Sequence, residues 1–193
     1  MRYSTLFCIC DECDNIAHLG AIGDVVKTDN IGCYQFEGII RNCVLRFKFA
    51  HCTDYAETMG LVMTARLLQE HTSADFDVVV PMPIGPKRLK KRGYNHAELL
   101  AKSVAKHLLL PLDNKTLLRP TDTAPQSTLT GEERLKNLKG KFVAQNDVDL
   151  AGMRVLLIDD VYTTGATMQT ATAELIKNAK AKSVQGLTFA QTY

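Results

Sequence analysis

The stretch Val155-Leu156-Leu157-Ile158-Asp159-Asp160-Val161-Tyr162-Thr163-Thr164-Gly165-Ala166-Thr167 decides how the rest of the chain reads. Four apolar residues in a row suit a short strand buried on both faces, as in a parallel sheet. In open α/β sheets, ligands bind beyond the carboxyl ends of the strands. Asp159 and Asp160 fall there, with the strand ending at Ile158. Adjacent carboxylates are costly to bury and repel each other. Neighbours on a strand also point to opposite faces, so one packing role does not explain both. A sugar diol or a divalent cation does. Carboxylates accept hydrogen bonds from hydroxyls and suit Mg²⁺, directly or through water.

The next residues open a helix, whose unpaired amides and positive end form an anion site. Gly165 allows a tight turn and a close approach to phosphate, and the threonine hydroxyls add donors. The loop thus offers a diol or metal site at Asp159 and Asp160. Beside it lies a monophosphate site at Thr163, Thr164, Gly165, Ala166 and Thr167. Ribose 5-phosphate has that shape. Capping alone accounts for an acid pair before a threonine, but poorly for the full string. No GxxxxGK[ST] loop and no GxGxxG after a strand competes with this reading.

Outward from the loop, the pattern is that of an α/β domain. A helix over about 166–179 and a strand over 183–189 follow, so strand, helix and strand form a βαβ unit with parallel pairing and a right-handed crossover. Upstream, Asp77-Val78-Val79-Val80 is a second buried strand stopping at Pro81. Asn95 with Glu98 opens a helix striped by Ala97, Ala101, Val104 and Leu108. Ile40, Cys43, Val44 and Phe47 stripe an amphipathic helix, and Ala56, Met59, Met63 and Leu67 stripe another, with Asp54 and Glu57 at its start. Cys33-Tyr34-Gln35-Phe36 is a short β-like run, and residues 1–30 have no clear period.

The whole chain sets the outer limits. Its 193 residues suit one ordinary domain with a small appendage, and 46% hydrophobic content supplies a core. A net charge of +2 gives no global preference for nucleic acid. No apolar run reaches the roughly 20 residues of a membrane span, and the N-terminus does not read as a signal peptide. The expected compartment is the cytoplasm, where six cysteines are metal ligands or core residues rather than disulfides.

At this point the sequence resembles the type I phosphoribosyltransferases, and within them the ComF family, also labelled ComFC or GntX-like. Beyond the loop, Val80-Pro81-Met82-Pro83, Arg88 to Asn95 and Glu98-Leu99-Leu100 are similar to the family's PxP…RxxxRGFNQxxxLA stretch. Thr123, Gln126, Leu129, Arg134, Asn137 and Phe142 match its spaced TxxQxxLxxxxRxxNxxxxF pattern. Phe47-Lys48-Phe49 looks like its K-Y/F step. His96 stands where the family usually has Gln. The family also carries two CxxC pairs that bind structural zinc, of which this chain shows Cys10 and Cys13, with Cys8 before them.

The resemblance implies a Rossmann-like type I phosphoribosyltransferase fold over residues 36–193, a central parallel sheet flanked by helices. A small cysteine-containing N-terminal hood, a remnant zinc ribbon, would occupy 1–35. It implies binding of 5-phosphoribosyl-1-pyrophosphate (PRPP) with Mg²⁺ and transfer of phosphoribosyl to a nucleobase-like acceptor. The catalytic set would be Asp159, Asp160, Arg88 and Arg92, with Lys91 joining the two arginines on the pyrophosphate and the loop holding the 5′-phosphate. Asp159 and Asp160 would be the Mg²⁺ ligands.

The basic run Lys87-Arg88-Leu89-Lys90-Lys91-Arg92 reads as a loop just past a strand end, where guanidinium suits phosphate. Cys8, Cys10 and Cys13 supply three of about four ligands a structural zinc needs, with His18 or Cys33 as the fourth. Cys43 reads as core. The polar segment 121–139, with Arg119, Gln126 and Arg134, reads as a lid over PRPP. The resemblance also implies a link to DNA uptake in natural competence, which motivates an alternative: a non-catalytic, PRPP-sensing protein that binds single-stranded DNA or a competence helicase. A metal-dependent phosphohydrolase is the weakest reading, for want of a second carboxylate or histidine cluster.

Overall fold

Strand β5 (Arg154–Tyr162) is the centre of the molecule, and Val155 to Ile158 are fully buried between two layers of helix. The computed structural model describes residues 30–50, 52–121, 142–145 and 150–192. Before β5 come β1 (Asn30–Gln35), α1 (Gly38–Phe49), α2 (Tyr55–Leu67), β2 (Val78–Pro81), α3 (Pro86–Arg92) and α4 (His96–Leu108). The short strands β3 (Leu117–Leu118) and β4 (Val143–Ala144) pair antiparallel. After β5 come α5 (Ala166–Lys177) and β6 (Ser183–Gln191).

The main sheet has the order β1-β6-β5-β2, and every pair is parallel. Apolar stripes decide which helix covers which face. Ile40, Val44 and Phe47 of α1, Met59, Met63 and Leu67 of α2, and Leu100, Ala101 and Val104 of α4 pack with Leu156, Ile158, Leu187 and Phe189. Met168, Ala171 and Leu175 of α5 pack on the other side with Val78, Val80, Val155 and Leu157. The stripes expected for α1, α2 and α4 are buried as read, except that Cys43 is only half-buried at the edge of α1.

Connectivity positions the site. From β2, α4 carries the chain to Leu112, which bridges Val79 on the outer edge of β2. The Val79 amide donates to Pro111 O (2.9 Å), and the Asp113 amide donates to Val79 O (2.9 Å). From β5, α5 carries the chain the other way, to β6. Right-handed crossovers running in opposite directions place their helices on opposite faces, as seen here. The gap between the carboxyl ends of β2 and β5 is therefore a topological switch point, where such sheets bind ligands.

Several elements differ from the sequence reading. β1 starts at Asn30 and pairs with β6, so the sheet begins inside the stretch assigned to the N-terminal hood. β6 runs to Gln191, which keeps β5 paired as far as Tyr162 rather than stopping it at Ile158. The basic run is a helix, α3, opened by Pro86 in its first turn and ended by Gly93 at φ 81°. Asn95 caps α4 by accepting from the Ala97 amide (3.1 Å), but Glu98 turns to Lys102 (2.9 Å) and Asn114 (3.1 Å).

Candidate functional site

β5 loses its β2 neighbour at Ile158, the last residue paired with β2, yet stays on β6 for four more residues. Asp159 to Tyr162 therefore border the switch-point crevice with one strand edge. An open cleft there is lined by Asp159, Tyr162, Thr163, Gly165 and Thr167, with Val161 and Met168 as its apolar wall. Thr163 and Thr164 are exposed, and Gly165 adopts φ 74° at the start of α5. That backbone excludes most side chains, and a Cβ at Gly165 would lie 2.2 Å from the Tyr162 hydroxyl. Of the expected loop positions, Thr163, Gly165 and Thr167 line the cleft and Thr164 and Ala166 do not, and Tyr162 packs over the glycine.

The two acids part company. Asp159 faces the cleft, and its Oδ1 accepts from the Asp160 amide (2.9 Å). Burial, then the charge of Asp160, pushes its carboxyl up to about 7, against smaller pulls from Lys48 and Arg119. Asp160 is buried on the other side of the strand. Its Oδ2 lies 2.9 Å from Lys48 Nζ and 2.8 Å from His96 Nε2. Burial pushes the Asp160 carboxyl up, but Lys48 and His96 outweigh it and hold the group well below the usual carboxylate range.

The basic helix is likewise divided. Arg92 turns inward, with Nη1 3.3 Å from His96 Nδ1 and 3.2 Å from Nε2. Its guanidinium lies 5.0 Å from the Phe49 ring centroid. Lys87, Arg88, Lys90 and Lys91 project from exposed positions on α3. Tyr94 is tied to α1, its hydroxyl donating to Phe47 O.

The sequence pointed to Lys48 only through the Phe47-Lys48-Phe49 resemblance, and to His96 only as a departure. Nothing in local periodicity links either to Asp160, more than sixty residues away. Arg119, read as part of a lid, stacks over Phe142 (5.5 Å) and acts electrostatically on Asp159. Gln126 and Arg134 lie outside the described residues, as do Cys8, Cys10, Cys13 and His18. Cys33 is buried in β1 as part of the hydrophobic core, where burial pushes its thiol up to about 12. Among the described residues, no three His, Cys, Asp or Glu side chains cluster as a metal cage.

A phosphoribosyl transferase domain model matches residues 89–191, more than half of the chain. The chain belongs to that family. Competence protein ComFC of Bacillus subtilis is 27% identical over 190 residues, covering 97% of this chain and 74% of that protein. DNA utilization protein YhgH of Salmonella typhi is 28% identical over 141 residues, covering 72% of this chain and 61% of that protein. Competence protein F of Haemophilus influenzae is 36% identical over 93 residues, covering 48% of this chain and 41% of that protein. The chain thus spans less than two thirds of the latter two, and it is a ComF-type phosphoribosyltransferase-like protein.

Among solved structures, a purine phosphoribosyltransferase from Pyrococcus horikoshii aligns at TM-score 0.43 and 16% identity, covering 85% of this chain and 78% of that one. A hypoxanthine phosphoribosyltransferase from Staphylococcus aureus aligns at 0.46 and 13%, covering 72% and 64%. At these values neither bears on the substrate. No helix among the described residues is long and apolar enough to cross a membrane.

Proposed function

We propose that the chain binds PRPP and transfers its phosphoribosyl group to a nitrogen acceptor with release of pyrophosphate. The observation that carries this reading is the cleft at the end of β5 that Asp159, Thr163, Gly165 and Thr167 line together. A carboxylate at one end and a helix N-terminus with hydroxyls at the other suit a sugar diol and a 5′-phosphate. The first-turn amides of α5 and the hydroxyls of Thr163, Thr164 and Thr167 take the phosphate, with Gly165 and Ala166 giving close backbone approach. Asp159 takes the diol. Arg88 and Lys91 meet the pyrophosphate charge from α3, with Arg92 behind them.

In the transfer, the acceptor nitrogen forms a bond to ribose C1′ as the bond from C1′ to the pyrophosphate oxygen breaks. The electron pair leaves on pyrophosphate, and the acceptor loses its proton. The protein supplies positioning and charge rather than a nucleophile. Mg²⁺ fits Asp159, an ionisable carboxylate on the cleft, as one ligand among oxygens supplied chiefly by PRPP and water. When bound, the ion neutralises the leaving charge.

Titration of PRPP with Mg²⁺ by calorimetry tests binding, and Asp159→Asn is expected to weaken it at least tenfold. Unchanged affinity rules the assignment out. Turnover is tested by pyrophosphate release with a panel of nucleobases.

A second reading has its own support. Arg92 of α3 lies 5.0 Å from the ring of Phe49, which is 61% exposed, and Lys87, Arg88, Lys90 and Lys91 are exposed on the same helix. Cations and an aromatic face suit single-stranded nucleic acid. The relatives are named for competence and DNA utilization. On this reading the chain senses PRPP and binds single-stranded DNA or a helicase during DNA uptake, without turnover. Salt-dependent binding of single-stranded DNA that disappears when Lys87, Arg88, Lys90 and Lys91 are neutralised supports it. No binding at low salt counts against it.

A further inference from the structure

Asp160 sits where three elements meet. Lys48 arrives from the last turn of α1, His96 from the first residue of α4, and Asp160 from β5. The Lys48 and His96 nitrogens both lie within 2.9 Å of the same carboxylate oxygen. The side chains of Asp160, His96 and Lys48 are 5%, 9% and 19% exposed, so the contact is nearly dry. Breaking one partner of such a buried pair strands the other charge, which is expensive. The neighbourhood is braced as well. Phe47 sets its ring edge against His96 at 6.2 Å, and Asn95 Nδ2 donates to Met82 O (3.0 Å). Asp159 points the other way, into the cleft that Asp160 does not line.

His96 does two jobs. Its Nε2 lies 2.8 Å from Asp160 Oδ2, and Arg92 Nη1 lies within reach of both ring nitrogens, 3.3 Å from Nδ1 and 3.2 Å from Nε2. A proton on Nε2 makes that nitrogen the donor to Asp160 and leaves Nδ1 to accept from Arg92. Position 96 thus needs one donor and one acceptor on a planar group. A glutamine amide offers the same pair, NH₂ to Asp160 and C=O to Arg92.

We infer that Lys48 and His96 are positioning residues that hold Asp160 as a fixed internal anion, leaving Asp159 as the carboxylate of the pair that meets the ligand. His96 also hands the position of Arg92 on the basic helix to the acid motif. The ligand half of this inference rests on the PRPP reading; the clamp itself does not.

The test uses the full chain, with PRPP and Mg²⁺ as the titrant and thermal melting alongside. Lys48→Met is expected to lower the melting temperature by several degrees and weaken PRPP binding about tenfold. Lys48→Met combined with Asp160→Asn is expected to recover most of the melting temperature and bring affinity within about threefold of the parent. His96→Gln is expected to stay within about threefold, whereas His96→Leu loses about tenfold. If the folded Lys48→Met/Asp160→Asn protein binds as weakly as Asp159→Asn, then Asp160 touches the ligand and the division of roles is wrong. If the parent chain does not bind PRPP at all, the phosphosugar reading fails, and the clamp is judged on melting alone. There, strictly additive losses from Lys48→Met and Asp160→Asn overturn it.

Discussion

At the scale of the residue, Asp159 carries the clearest chemistry. Its carboxyl is pushed up to about 7 by burial and by the charge of Asp160. A folded-state value above the ordinary one means the folded chain holds the proton more tightly than the unfolded chain does. This group therefore costs stability progressively as pH rises from the ordinary carboxyl range towards about 7, and the full cost applies above that. Asp159→Asn removes it. The variant should be more stable than the parent at pH 8 by about 1–3 kcal/mol, roughly 2–4 °C per kcal/mol, and the difference should fade near pH 4. Melting curves across that range decide it.

The same group links ligand binding to protons. A cation at Asp159 favours the ionised form, so binding of PRPP with Mg²⁺ should release protons near neutral pH and weaken as pH falls below about 7. Calorimetry in two buffers of different ionisation enthalpy reads the released protons; a buffer-independent enthalpy contradicts the assignment. Gly165 makes the backbone counterpart. Gly165→Ala forces an L side chain to φ 74° and drives its Cβ into Tyr162, costing about 1–2 kcal/mol for the backbone alone. Thermal melting should show the loss, and PRPP affinity should fall with it.

At the scale of the element, much was legible because periodicity is local. The stripes of α1, α2 and α4 follow from residues three and four apart, and all but Cys43 of those read are buried. The end of β5 was not legible, because what extends it to Tyr162 is the length of β6, thirty residues on. The basic run showed its charge but not its helix, since Pro86 and Gly93 act as helix boundaries only once a helix is assumed. The Lys48–Asp160–His96 contact was hidden for a related reason. Each residue is polar in its own window, and only the packing of α1 and α4 over β5 brings them together.

One helix contact makes a sharp test of that packing. A Cβ at Gly60 would meet the Ser103 side chain at 2.4 Å, so α2 and α4 cross with glycine at the contact. Gly60→Ala should destabilise by about 1–3 kcal/mol even though alanine is the better helix former. Adding Ser103→Gly should restore part of the loss. A stabilised Gly60→Ala protein would show that the crossing is looser than described.

At the scale of the whole molecule, the family match begins at residue 89, but the cleft depends on what precedes it. A fragment from Leu89 onwards lacks β1, α1, α2 and β2, which pair with or cover the sheet. Leu156, Ile158, Leu187 and Phe189 would lose much of their cover on one face. Such a fragment should show no cooperative melt and bind apolar dye; a sharp, reversible transition would show that the matched segment folds alone. The switch point belongs to this scale too. It follows from the path of the chain, leaving β2 one way and β5 the other, and no single motif encodes it.

At the amino end of the same two strands, Asp77 receives the Arg154 amide (2.7 Å) and, through both oxygens, the Arg154 guanidinium (3.0 and 2.7 Å). A strand is a ruler of period two, so a slip of one residue would exchange the faces of every side chain on β5. Asp159 would then turn inward and Asp160 outward. Which carboxylate meets solvent is thus a question of parity, odd or even, and part of the answer is written at Asp77 and Arg154, about 16 Å down the strand from the cleft it serves.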